Sequence, residues 1–275
     1  MTVTNAVETT MIWGTVSGAS MVGMVISLLL SVVLPIFLGI FIYKKTKAWV
    51  PAFFIGCGIF VGFAMILEQI CHAIVLTVTG SAIRDNIWLY AIYGGLAAAL
   101  FEECGRWIAM KFCLKKHLTR ENALMYGAGH GGIEAFLILG MSSMSNLLTA
   151  AMINGGLMEK TMTALEPAQQ EVTYHQLSVL WTTPAYQFYL APVERISAIA
   201  LQIALSILVY SAVKTGRKLQ LAAAFGLHFA VDFLTVICAA AIPTWALELG
   251  LLLVVAVICV VVYQLVYVQM AEKKA

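Results

Sequence analysis

Charged side chains are scarce in this sequence: 11% of 275 residues, against 61% hydrophobic and a mean hydropathy of +0.92. A soluble globule is normally about 45–50% apolar, so that class is excluded and a polytopic membrane protein is expected. No basic patch lies outside the short loops, which excludes nucleic acid as a partner, and the net charge of +2 says less than where the charges fall. The six cysteines (Cys57, Cys71, Cys104, Cys113, Cys238 and Cys259) form no CxxC pair and lie in or beside apolar segments. They are read as small core residues, with no disulfide framework and no thiolate zinc site. There is no internal repeat and no linker rich in Pro, Gly or Ser, so one transmembrane domain over 1–275 is expected. No Lys or Arg precedes the first apolar run, which is too long for a signal peptide and should stay as a spanning helix.

What the chain does have is apolar length. A bilayer core of ~30 Å needs roughly 20 helical residues, and seven segments qualify, near 16–43, 50–79, 87–112, 121–149, 193–213, 218–241 and 244–268. The predicted fold is all-α with about seven transmembrane helices. Basic residues gather in alternate connections: Lys44, Lys45 and Lys47; Lys111, Lys115, Lys116 and Arg120; Lys214, Arg217 and Lys218; Lys273 and Lys274. By the positive-inside rule the amino terminus lies outside and the carboxyl terminus in the cytoplasm of a cell membrane. The stretch from about 154 to 190 reads as an external loop. Its aromatic end (Trp181, Tyr186, Phe188, Tyr189) rests in the headgroup belt or, on a sharper reading, forms a lid over a membrane cavity.

The few charges inside the spans are the informative ones, because a charge at the bilayer centre costs ~2.5–3.5 kcal/mol even on the lenient scale. Glu102, Glu103 and Arg106 sit in one apolar run, and His130/Glu134, His228/Asp232 and Glu68/His72 are each spaced i, i+4 on one helix face. Glu102 is nine residues before Lys111, His130 ten after Arg120 and His228 ten after Lys218. At 1.5 Å per residue each lies ~14–15 Å from its basic edge, near the midplane. Three helices thus bring an acid and two imidazoles to one level. Glu68, His72, Glu194 and Arg195 fall nearer the outer ends and are read as structural, and Glu248 as interfacial. Gly127, Gly129, Gly131 and Gly132 around His130, with Gly94 and Gly95 before Glu102, mark close helix contact.

A carboxylate and a neutral His at one level can take a proton from water, and a second His with a polar partner can stabilise the oxyanion that follows. That is equipment for amide hydrolysis. The same groups could hold a divalent metal such as zinc, with His130, Glu134 and His228 as its ligands, but no HExxH is present and a metal is not required.

The order Glu102-Glu103-x-x-Arg106, Tyr126-x-x-x-His130 and His228-x-x-x-Asp232 resembles the three motifs (EExxxR, FxxxH, HxxxN/D) of the type II CAAX-protease and bacteriocin-processing superfamily of glutamate intramembrane proteases, and most closely its seven-helix YhfC family. The likeness covers roughly Ile87 to Val236, within a motif-bearing helix core of about 87–241. It implies that Glu102 and His130 activate water, that His228 and Asp232 form the oxyanion side, and that Glu103 and Arg106 make a supporting pair. Three departures stand out. The Arg is one residue closer than in EExxxR, matching the EExxK spacing of PrsW proteases, which leaves open whether Glu102 or Glu103 faces the cavity. Tyr126 replaces Phe, and Glu134 is an extra acid that either orients His130 or serves as a ligand. Asp232 must be protonated or paired to donate to an oxyanion. The implied function is an intramembrane endopeptidase acting on a membrane-associated peptide or protein within the lipid bilayer. The alternatives are a non-catalytic scaffold or immunity protein, or a proton- or metal-coupled transporter; against the transporter, only Pro35 interrupts a span.

Overall fold

The computed structural model describes residues 11–272, so Lys273 and Lys274 lie outside the described residues. Among those described there is no strand, and seven helices are long and apolar enough to span a membrane: α1 (Gly18–Thr46), α2 (Pro51–Thr79), α3 (Ile87–Cys113), α4 (Arg120–Asn154), then, after short α5 (Leu157–Met162) and α6 (Pro167–Thr182), α7 (Ala185–Thr215), α8 (Lys218–Ala239) and α9 (Thr244–Tyr267). With most interior backbone groups bonded within their own helix, each segment suits a medium that offers no hydrogen bonds. The chain is a multi-pass membrane protein.

Local sequence sets the helix starts. The Ser17 hydroxyl accepts from the Ser20 N–H at 3.0 Å, Asn86 Oδ1 from the N–H groups of Trp88 and Leu89, and the Thr119 hydroxyl from Asn122. Each supplies an acceptor for an otherwise orphaned donor. At the other end of α7, Gly216 takes φ +74°, a left-handed conformation that stops the helix before α8.

The segment expected to be an external loop is helical instead. Pro167 and Pro184 read as loop punctuation, but they occupy the first turn of α6 and the cap of α7, where a missing N–H costs nothing. Consequently α7 begins eight residues earlier than expected, and Pro192 joins Pro35 as a proline inside a span. The aromatic end packs on α1 and the segment before it. Trp181 and Tyr174 contact Trp13, the Tyr189 hydroxyl donates to the Ala19 carbonyl, and the Ser27 hydroxyl to that of Phe188.

α7 is the central post: about 72% of its most apolar stretch is buried, against 17–33% in the other six. It packs on α1, α3, α4, α8 and α9, while α4 packs on α1, α2 and α7, and α3 on α2 and α8. Glycines make α4 approachable on every side. A Cβ at Gly129 would overlap the Phe53 carbonyl of α2, one at Gly127 would sit 2.7 Å from Ile203 Cα of α7, and one at Gly132 would press on Pro35 of α1. The expected close contact is therefore there, with small residues letting backbones meet. Gly94, by contrast, has open space beside it. The six cysteines are all free, but Cys104 and Cys113 are exposed on helix faces and are not core residues. A thiol is apolar enough to face lipid without cost.

Candidate active site

α3, α4, α7 and α8 converge on one buried polar cluster. Arg106, three and four residues after the paired glutamates, is fully buried. Its Nη1 donates to the Gln202 carbonyl at 2.6 Å and to the Ser206 hydroxyl at 2.7 Å, and its Nη2 donates to Gln202 Oε1. Its Nε lies 3.2 Å from Glu103 Oε2, close enough for an ion pair though not aligned as a hydrogen bond. A buried guanidinium needs this many partners to be tolerated.

The two adjacent glutamates part company here. Successive helical residues point ~100° apart, and Glu102 faces the cavity while Glu103 faces the ion pair. Glu102 Oε2 accepts from His130 Nε2 at 2.9 Å and from the Gln202 amide at 2.9 Å, while Oε1 has no hydrogen bond among the described residues. Glu103 Oε1 accepts from His228 Nδ1 at 2.9 Å. His228 Nε2 then points to Asp232 Oδ2 (3.5 Å) and Glu102 Oε2 (4.0 Å). The Tyr126 hydroxyl sits 3.5 Å from His130 Nδ1.

The extra acid, Glu134, is joined to the same network. Its Oε2 accepts from the Gln202 amide at 2.9 Å and its Oε1 from Arg195 Nη1 at 3.1 Å, and Arg195 also pairs with Glu194. The Gln202 amide thus bridges two carboxylates, with its orientation set by Arg106 on its oxygen. Glu102, Glu134, Glu194, Arg195, Gln202, His228 and Asp232 all line a cavity of about 230 Å³, room for several waters at ~30 Å³ each or for a peptide group.

All seven expected site residues, Glu102, Glu103, Arg106, His130, Glu134, His228 and Asp232, are therefore brought together. One reading changes: Glu194 and Arg195 belong to the cavity, because the earlier start of α7 carries them more than two turns into the span. Glu248, in the second turn of α9, is shielded by protein with Oε2 unpartnered. Of the expected metal set, His130 and Glu134 join Glu102 in a group whose ligand atoms lie within 4.8 Å of one another, while His228 turns Nδ1 to Glu103. Glu68 and His72 form a separate pair at 3.2 Å, with the Tyr93 hydroxyl 2.7 Å from His72 Nδ1. Gln202 and Ser206 were missed because neutral side chains in an apolar run carry no charge signal. Counting back from Lys214 puts Gln202 ~18 Å from its basic edge, close to the level of the others.

Residues 30–261 match the family described as YhfC intramembrane metalloprotease. A curated relative, "Uncharacterized membrane protein YhfC" of Bacillus subtilis (strain 168), is 41% identical over 222 residues, which cover 78% of this chain and 83% of the relative. No solved structure matches.

Proposed function

This chain belongs to the YhfC family, and on that premise we propose that it is an intramembrane endopeptidase that cleaves a membrane-associated peptide or protein with water activated at Glu102. The observation that carries the reading is the division of labour on one carboxylate: Oε2 is anchored by His130 and Gln202, and Oε1 is left free at the cavity.

In this reading Glu102, as carboxylate, takes the proton of the attacking water on Oε1. His130 holds the other oxygen through Nε2–H, with its Nδ1 facing Tyr126. As the tetrahedral oxyanion forms, the donors that face it are His228 Nε2–H and a protonated Asp232. Glu103 accepts from His228 Nδ1–H, so a second proton on Nε2 makes that ring a cationic donor aimed at the cavity. Glu103 is then a positioning residue, and Arg106 compensates its charge. The proton held by Glu102 passes to the leaving amine as the intermediate collapses.

The residues fit a divalent cation: three oxygen and nitrogen donors converge, and five carboxyl groups (Glu102, Glu103, Glu134, Glu194, Asp232) face two guanidinium groups. In place of the His130 Nε2–H bond to Glu102, zinc held by Glu102, His130 and Glu134 would supply Lewis-acid polarisation of the scissile carbonyl. We further assign the protein to the type II CAAX-protease superfamily on its motif order, take it to work as a single transmembrane domain, and place its amino terminus outside and its carboxyl terminus in the cytoplasm on the Lys and Arg bias.

The test is a comparison of new peptide termini in membranes containing wild-type, Glu102→Gln and Glu103→Gln proteins at matched levels. Termini that vanish with Glu102→Gln and persist at reduced yield with Glu103→Gln support the assignment. Termini unchanged in both overturn it.

A further inference from the structure

A second cavity, of about 730 Å³, lies between α1, the late half of α4, α6 and the first turns of α7. Nine of its sixteen lining residues carry a hydroxyl or carboxamide and none carries a charge. The side chains of Asn146 and Gln187, both half-buried, and of exposed Gln176 line it without a side-chain hydrogen bond among the described residues. Half-buried amides in an apolar bundle need partners, and a space that leaves two of them free suits either water or a ligand that brings its own donors and acceptors.

Its walls run into the active site. Along α4, Glu134 and Ile138 line the charged cavity, and Ser142, Asn146 and Thr149 continue the same face into the second one. Along α7, Gln187 and Ala191 line the second cavity, and Arg195, Ala198 and Gln202 continue that face downward. Spacings of three and four residues keep each set on one side of its helix, so the two spaces follow one another along the same two helix faces, like two floors. From Thr149 to Glu134 these faces run ~22 Å, the reach of six or seven extended residues at ~3.3–3.6 Å each.

We propose that the uncharged cavity is the binding site for an extended, uncharged stretch of the substrate, which enters from the end of the bundle away from the Lys-rich turns and reaches down to Glu102. This deepens the protease reading and rests on it. An extended peptide has no internal hydrogen bonds and presents an N–H and a C=O at every residue, which is what free amides and hydroxyls along two helix faces satisfy. A lipid tail satisfies none of them. A charged side chain finds no partner in this cavity and meets opposite charge only one floor below, at Glu134, Arg195 and Glu194.

The test uses sealed membrane vesicles carrying the full-length parent protein or its Asn146→Cys, Gln187→Cys or Gln169→Cys form, treated with a bulky impermeant thiosulfonate. Exposed Gln169 on α6 lies outside the cavity and reports which face of the vesicle holds α6. The untreated samples first show whether Glu102-dependent termini exist. The parent gives the baseline for native thiols. The expected result is that Asn146→Cys and Gln187→Cys react from the α6 side beyond the parent's baseline and lose the Glu102-dependent termini, while Gln169→Cys reacts and keeps them. Termini that persist after Asn146→Cys and Gln187→Cys are labelled make the cavity a water vestibule and overturn this inference alone. Failure of either to react from that side overturns the route of entry. Absence of any Glu102-dependent termini before treatment overturns the protease reading, and this inference with it.

Discussion

The two cavities stacked along α4 and α7 like two floors handle polarity in opposite ways. The lower one is charged and tied together: Arg106, Gln202, Glu102, Glu134, Arg195, His130, His228 and Glu103 form one connected set of hydrogen bonds and ion pairs. The upper one is neutral, with amides left free. Burying a charge without a partner is prohibitive, whereas burying a neutral amide beside water or a ligand costs little. A membrane enzyme can therefore keep its reacting groups rigid through charge and its binding groups adaptable through neutral polarity.

The largest effect expected is at the free oxygen of the lower floor. Glu102→Gln keeps a side chain of the same shape, so the protein should accumulate normally while cleavage falls by about 10²–10⁴-fold, the usual contribution of a general base. Quantifying termini at matched protein levels checks this. Arg106→Met tests the ties themselves. It leaves Glu103 and the Gln202 carbonyl buried without their cation, which should cost about 3–5 kcal/mol, seen as a lower melting temperature in detergent and less protein in the membrane. Gly129→Ala leaves every charge in place but pushes a methyl into the Phe53 carbonyl, separating α4 from α2. Overpacking of this kind costs about 1–3 kcal/mol, and the same melting measurement should rank it below Arg106→Met. Asn146→Ala, on the upper floor, should shift stability by no more than about 0.5 kcal/mol and weaken cleavage through substrate binding. A melting loss as large as that of Arg106→Met would erase the distinction between the floors.

Much of this was legible along the chain. Apolar length located seven spans to within a few residues, apart from the start of α7, and counting from the basic turns put Glu102, His130 and His228 at one level, where they do meet. The i, i+4 pairs held their faces: His228 and Asp232 lie 3.5 Å apart, and His130 and Glu134 belong to one network. The external loop was misread because Pro167 and Pro184 start helices as readily as they break them, and that error hid Arg195 and Glu194.

Sequence by itself thus determined how many helices are long and apolar enough to cross and that Glu102, His130 and His228 share one level, because rise per residue is constant and charge in an apolar run is conspicuous. Only tertiary structure decided which way each group faces: that Glu102 opens on the cavity and Glu103 on Arg106, that Gln202 bridges two carboxylates, and that Glu248 is buried. Depth follows from distance along one helix, but direction around it follows from which neighbours pack against it, and those contacts join residues far apart in the chain.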